Sequence, residues 1–354
     1  MKVVLLAPTP PPAGGIAGWT VRMMNAQLKD GWRLSVVDEK AIGKRQVFGK
    51  AGKRNLFDEA KRCHNIWSGL RKELKDPEAK VVHSCVPSVT LAMMREYVCA
   101  VITQNRKRKF IIHFRCTVPN TTQGKLGRFV LKKLCNKSDM IFSLNQQTTD
   151  YLKRITSTPI EQIPNFISAD ELVDDHNVRD ELQTVLYVGG LVENKGVYDC
   201  LEIAKCLPDI TFRFVGKGND EFEERAKSYS LNNVVFTGQK DREGVKEELR
   251  NADVFLFMTY FRGEGFSNAL CEAMAAGLPC VVTDWAANKD MIGRQGGVVV
   301  PVGDVAGAVQ ALKQMNNPQD RMNMSKHNLE KVKAEYIQSV VIEKYVDAYE
   351  RLLN

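Results

Sequence analysis

Twice along this chain an apolar run breaks into two adjacent glycines and is followed by residues at helical spacing. The first stretch is "VVLLAPTPPPAGGIAG", with Gly14 and Gly15 beyond the run at 3–7; the second is "TVLYVGGLVENKG", with Gly189 and Gly190 beyond 184–188. A strand ending in glycines brings backbone close to a phosphate or sugar, because no Cβ holds the ligand away. Further strands are expected over 34–38, 80–84, 110–114, 139–143, 211–215, 233–236, 253–257 and 280–283, each followed by a turn signal and a helical pattern. This alternation implies two α/β halves with parallel sheets covered by helices. The polar segment "PNFISADELVDDHNVRDEL" places a linker near 165–182, and the tail from Ile337 to Leu352 reads as one amphipathic helix. Ligands of open parallel sheets bind beyond the strands' C-terminal ends, so both glycine turns are expected to face a central cleft.

The opening turn admits two other readings. A helix from about Trp19 and Asp38, 20 residues past Gly18, fit a dinucleotide fold in which the carboxylate grips a ribose, but the glycines run G-G-x-x-G rather than G-x-G-x-x-G. A plain strand-to-helix loop without ligand is the other.

Charge divides the chain. Residues 1–180 hold 30 Lys and Arg against 17 Asp and Glu, whereas 181–354 hold 20 against 25. The basic residues cluster in "GKRQVFGKAGKR", in "RKRK" at 106–109 and in "GKLGRFVLKKLCNK", where Lys125, Arg128 and Lys132 share a helical face. Such an excess suits an anionic partner: a phospholipid surface or a lipid-linked diphosphate. Nucleic acid is disfavoured because base-stacking aromatics are not grouped with the clusters, which hold only the single residues Phe48 and Phe129. No apolar stretch is long enough to span a membrane and no signal peptide opens the chain, so a cytoplasmic protein, peripheral on the inner face of the plasma membrane, is expected. Nine scattered cysteines form no C-x-x-C pair, the five histidines no zinc pattern, and no D-x-D occurs; no metal is expected.

The richest stretch is "ADVFLFMTYFRGEGFSNALCEAMAAGLPCVVTD". A buried strand leads to a loop with Arg262, Glu264 and Gly265; Ser267 is the expected N-cap of a helix from Asn268 to about Ala276, ended by Gly277. The helix N-terminus near Phe266 and Ser267 suits a diphosphate. Glu264 and Glu272, with seven residues between them, would repel that anion and must accept from hydroxyls on either side of it. A diphosphate flanked by hydroxyl-bearing groups is a nucleotide-sugar. Lys195, close to a helix start near Gly196, adds a cation.

These residues resemble the donor signature of the family-four retaining glycosyltransferases of the GT-B fold, also described as glycosyl transferases group 1. The E-x7-E pair Glu264/Glu272, "EGFSNALCEAMAAGLP", "GGVVVPVGD", "YVGGLVENKG", "IPNFIS" and "FVGKG" carry the similarity over essentially the whole chain. The resemblance implies two Rossmann-like domains: 1–168, joined by the helix 335–354, on the acceptor side, and 169–334 on the donor side. It implies that Glu272 binds the ribose, Glu264 the sugar hydroxyls, Lys195 the diphosphate, Gly14 and Gly15 the region near the donor phosphate, and the backbone of Gly265 to Asn268 the phosphates. Gly190 stands where the family has arginine, and Arg262 or Lys217 could substitute. Asp290 stands where glutamate is common. In "KFIIHFRC", either His113 or Arg115 occupies the family's catalytic histidine slot.

The resulting expectation is a metal-independent, retaining hexosyltransferase without cofactor, moving a sugar from a UDP-sugar to a hydroxyl acceptor, a lipid-linked or envelope polysaccharide or oligosaccharide intermediate. A nicotinamide-dependent enzyme acting on nucleotide-sugars and a non-catalytic nucleic-acid binder are the rival readings; neither accounts for Glu264 and Glu272 together.

Overall fold

The computed structural model describes residues 1–11, 14–43, 55–173 and 176–354. The chain divides into two units, Met1–Asn165 with Gln338–Asn354, and Phe166–Ile337. Most of the basic cluster "GKRQVFGKAGKR", together with Pro12 and Ala13 of the opening turn and Asp174 and Asp175 of the expected linker, lies outside the described residues.

The first unit runs β1 (Lys2–Ala7), α1 (Gly15–Met24), β2 (Arg33–Asp38), α2 (Leu56–Glu73), β3 (Ala79–Val86), α3 (Thr90–Asn105), β4 (Lys109–Phe114), α4 (Val118–Thr121), α5 (Gly124–Lys137), β5 (Met140–Ser143), α6 (Gln146–Lys153) and β6 (Ile160–Gln162). Its six strands are parallel in the order β2-β1-β3-β4-β5-β6. The connection after β1 runs to β2 on one side and that after β3 to β4 on the other, which makes the gap between β1 and β3 the sheet's topological switch point. Val3 to Ala7 are fully buried, because helices cover both faces of such a sheet and a near-continuous apolar run is required.

The second unit runs β7 (Thr184–Val188), a 3₁₀ turn (Glu193–Lys195), α7 (Val197–Cys206), β8 (Thr211–Val215), α8 (Asp220–Ser228), β9 (Val234–Gly238), α9 (Arg242–Arg250), β10 (Val254–Phe257), α10 (Asn268–Ala275), β11 (Cys280–Thr283), α11 (Asn288–Ile292), β12 (Gly297–Val300), α12 (Val305–Gln314) and α13 (Pro318–Glu335). The strand order β12-β11-β10-β7-β8-β9 is that of a Rossmann sheet, with its switch point between β7 and β10. A final helix, α14 (Gln338–Leu353), returns to the first unit and buries Val341, Tyr345 and Tyr349 there. Ile337 lies just outside α14, bridged to Ile167.

Three expectations change. The first helix begins at Gly15 rather than near Trp19, with Gly14 as its N-cap in extended conformation, so Gly15 and Gly18 are helical residues. Asp38 is committed to its own loop: its carboxylate accepts from the Thr9 amide (3.0 Å), the Thr9 hydroxyl (2.7 Å) and the Lys40 amide (2.9 Å), and pairs with Lys40 Nζ (3.0 Å). That occupation removes the support for a ribose-gripping role. Two strands beyond those expected, β6 and β12, complete the sheet edges.

Candidate active site

At the switch point of the second sheet, the loops leaving β7 and β10 are joined through glycines. Gly189 closes β7 with φ of +159°, and its carbonyl fills the space a Cβ on Gly216 would take, so the turns after β7 and β8 meet backbone to backbone. Gly196 is left-handed, at φ +73°, and a Cβ there would stand 2.0 Å from the Met258 carbonyl oxygen. The Tyr260 amide also donates to the Asn194 carbonyl at 3.0 Å. Only glycine permits this approach, and the approach delivers Lys195 to the end of β10.

There Lys195 Nζ lies 2.6 Å from Glu264 Oε2, with the two side chains 23% and 12% exposed. The ammonium also stands 4.7 Å from the centre of the Phe261 ring. The loop beneath is fixed by hydrogen bonds. The Glu264 amide donates to the Phe261 carbonyl (2.9 Å), which also accepts from the Trp285 indole (2.8 Å), and Thr283 Oγ1 donates to the Thr259 carbonyl (2.5 Å). Phe266 is buried edge-on against Tyr336, with ring centres 5.2 Å apart. Ser267 caps α10, its Oγ accepting from the Leu270 amide at 3.2 Å.

The sequence-derived residues thus fall into two adjoining loops of one unit. Lys195 and Glu264 touch; Gly189, Gly190, Gly265, Phe266, Ser267 and Asn268 belong to the loops around them; Glu272 is half-buried in α10. Arg262 is exposed at the loop surface. Lys217 follows β8 and lines a separate cavity of about 460 Å³, together with Leu191, Phe222 and Phe236, beyond the ends of β7, β8 and β9. That cavity was foreshadowed only by the glycines of "FVGKG". Asp290 is an exposed residue of α11.

The first unit holds a second constellation. Arg115, just past β4, donates from Nη1 to His113 Nε2 (3.2 Å) and from Nη2 to Asn165 Oδ1 (2.5 Å), and its guanidinium lies 4.2 Å from the centre of the Trp19 ring. A guanidinium only donates, so His113 carries its proton on Nδ1 and passes a hydrogen bond to His83 Nε2 (3.1 Å); His83 Nδ1 then donates to the Tyr349 hydroxyl (2.7 Å). Both histidines are fully buried. Burial, reinforced by Arg115, pushes His83 down to about 3 and holds His113 well below the ordinary histidine range. Arg115 is 6% exposed, and no carboxylate among the described residues pairs with it. Of the two candidates for the catalytic slot, His113 therefore has both ring nitrogens engaged and neutral, while Arg115 carries the charge. Asn165 lies in the "IPNFIS" stretch without having been singled out there, and His83 and Tyr349 had no local sequence signal; only the fold assembles the three.

His83, Cys85 and His113 also bring ligand atoms within 4.8 Å of one another. The hydrogen bonds just described occupy both histidines, and the adjoining guanidinium repels a cation, so this group is poorly suited to a metal. Gly14, Gly15 and Gly18 differ from the glycines of the second unit: a Cβ on any of them meets nothing within 4 Å.

Comparison with known proteins places these loops in context. The family model described as Glycosyl transferases group 1 matches residues 183–317, which include both loops. A phosphatidyl-myo-inositol mannosyltransferase of Mycobacterium leprae is 31% identical over 264 residues, spanning 70% of this chain and 67% of that protein. The sucrose-phosphate synthase of Thermosynechococcus elongatus superposes with a TM-score of 0.78 at 16% identity, over 99% of both chains. Anabaena HepE, solved with UDP and glucose, superposes with a TM-score of 0.74 at 12% identity, over 99% of this chain and 100% of that one.

Proposed function

The chain belongs to the Glycosyl transferases group 1 family and is a glycosyltransferase of the GT-B fold; from that premise we propose that it moves a sugar from a nucleoside diphosphate donor to a hydroxyl of a lipid-linked or envelope-glycan acceptor. The observation that carries the donor assignment is the Lys195–Glu264 pair at the switch point of the second sheet. The leaving diphosphate gains negative charge as the glycosidic bond breaks. Lys195 and the N-terminal end of α10 offset that charge from fixed positions, which lowers the barrier more than it tightens ground-state binding. When the diphosphate takes Lys195, Glu264 is released to accept from the sugar's hydroxyls. Glu272, one turn into α10, takes the ribose. The cavity beside Lys217 suits the base, and the likeness to HepE makes uridine the first base to test.

In this reading the charge that a metal would supply comes from Lys195 and the helix, so no metal is required. Glu264 serves as an orienting acceptor rather than a nucleophile, and transfer proceeds on the face the leaving group departs from, with retention. The first unit takes the acceptor. Arg115 supplies a cation at the end of β4, and the mannosyltransferase relative, whose name specifies a phosphatidylinositol substrate, supports a lipid acceptor. No helix of the described residues is long and apolar enough to cross a membrane; access to such an acceptor is assigned to the exposed basic face of α5, with Lys125, Arg128 and Lys132. Calorimetry tests the division of roles. Glu272→Ala should weaken binding of UDP itself, whereas Glu264→Ala should leave UDP binding intact and impair discrimination among UDP-sugars. Equal loss of UDP affinity in both variants would refute the assignment.

A further inference from the structure

A cavity of about 530 Å³ lies within the first unit at the switch point of its sheet, between Pro8 and Ile16 following β1 and Pro87 and Val89 following β3. This is where an open parallel sheet receives a ligand, and the volume is that of a small-molecule site. The wall is mostly apolar, supplied by residues such as Ile16, Ala60, Cys63, Leu91 and Ala92.

The charged groups in the wall pair mainly with one another, Glu39 Oε1 excepted. Arg95 Nη2 binds Glu39 at 3.0 Å and Arg95 Nε binds Glu96 at 2.6 Å, while Glu96 also accepts from Ser84 Oγ at 2.7 Å. Arg62 donates to the Glu39 carbonyl and pairs with Glu59. Glu39 Oε1, which has no hydrogen-bond partner, is sealed from solvent, and burial, opposed by Arg95, raises the proton affinity of that carboxyl well above the usual range. Such a wall offers a polar ligand little and an apolar one a dry surface.

The cavity opens onto apolar residues that water would otherwise cover. Leu56 and Leu91 line it and are 84% and 58% exposed. Gly127 of α5 packs against Thr90 of α3, next in the chain to Leu91, and α5 itself exposes Leu126 and Phe129. The same face of α5 carries Lys125, Arg128, Lys132 and Lys133. An apolar cavity that opens through apolar side chains to a row of cations matches an amphiphile with an anionic head.

We propose that this cavity takes one hydrocarbon chain of a lipid acceptor whose headgroup is anionic, the headgroup lying toward the cations of α5. The proposal rests on the lipid-acceptor reading above and specifies where the first unit holds that lipid.

Cys63 provides the test, since it lines the cavity and is half-buried, while Cys206 is exposed in the other unit and serves as an internal control. The full chain is treated with N-ethylmaleimide in the presence of hexyl, octyl or decyl phosphate below micelle-forming concentrations, and each cysteine is followed by mass spectrometry. Protection of Cys63, but not of Cys206, is expected, with the half-protecting concentration falling roughly fourfold per added methylene. Ala60→Trp, a change on an exposed position of α2, should fill the cavity and abolish the chain-length dependence. Absence of protection, equal protection of both cysteines, or unchanged chain-length dependence in Ala60→Trp would overturn the proposal. UDP calorimetry on the same samples separates the two readings: UDP binding without alkyl protection refutes the cavity alone, and alkyl protection without UDP binding refutes the transferase assignment to the second unit while the cavity stands.

Discussion

Acidification should unfold the first unit through His83 and His113. In the unfolded chain each histidine titrates near 6.5, whereas burial and Arg115 depress His83 to about 3 and His113 well below its ordinary range. A base whose folded pKa is depressed stabilises the fold fully above 6.5 and loses that contribution as the pH falls from 6.5 toward the folded value. Between pH 7 and 5 the unfolded state takes up nearly one proton at His83 and the folded state almost none, a loss of about 2 kcal/mol from that ring alone, to which His113 adds in the same direction. That is a large part of a domain's usual stability of about 5–15 kcal/mol. Glu39 acts in the opposite sense, because its raised pKa makes its contribution grow as the pH falls from its folded pKa toward the unfolded value. A comparison that cancels Glu39 is therefore needed. Urea unfolding at pH 7 and pH 5, followed by tryptophan fluorescence, suits this, since Trp19, Trp32 and Trp67 lie in the first unit and only Trp285 in the second. His83→Phe removes one titrating ring, and its loss of stability between the two pH values should be about 2 kcal/mol smaller than that of the unaltered protein. An identical pH dependence in the two proteins would refute the assignment of neutral, buried histidines.

Other variants address the donor loops and the opening glycines. Lys195→Ala should lower kcat by about 10²–10³, the usual effect of removing one fixed group that stabilises leaving charge; a loss below tenfold in steady-state assays would exclude it from that role. Gly196→Ala sets a side chain at φ +73° and 2.0 Å from the Met258 carbonyl, so a loss of at least about 2 kcal/mol in chemical denaturation of the second unit is expected. A Cβ on Gly15 meets nothing within 4 Å and Gly15→Val replaces a helical glycine, so stability should hold or rise by a few tenths of a kcal/mol. Its sugar transfer should nevertheless be abolished with UDP affinity retained; loss of UDP affinity in the folded variant would show that those glycines hold the nucleotide.

The parts of the fold legible in the sequence are those whose signals are local. The apolar runs of β1 and β7 and the Ser267 cap followed by Gly277 each announce an element through neighbouring residues. The start of α1 was hidden because "GGIAG" is a poor helix former, and its placement from Gly15 depends on Trp19 and Met23 being buried by the sheet. The edge strand β6, "IEQ", is too short and polar to read; its pairing with β5 defines it. The same contrast holds in the site. Glu264, Ser267 and Glu272 lie in one stretch and were visible together, as was the glycine turn before Lys195. The relay from Tyr349 to Arg115 runs through His83, which lies 266 positions from Tyr349, so no window of sequence contains it. The cavity beside Glu39 likewise arises only where the loops after three separate strands converge.

The central claim, that the second unit is built to hold a nucleoside diphosphate across Lys195 and the start of α10, is tested most directly by unfolding the protein in the presence of UDP. A ligand at 100 times its Kd stabilises the state that binds it by about 2.7 kcal/mol. Urea unfolding of the second unit, reported by Trp285 in a protein whose other tryptophans are replaced by phenylalanine, should show that stabilisation with saturating UDP and lose most of it in Lys195→Ala. No stabilisation by UDP or any other nucleoside diphosphate, or stabilisation undiminished in Lys195→Ala, would contradict the account.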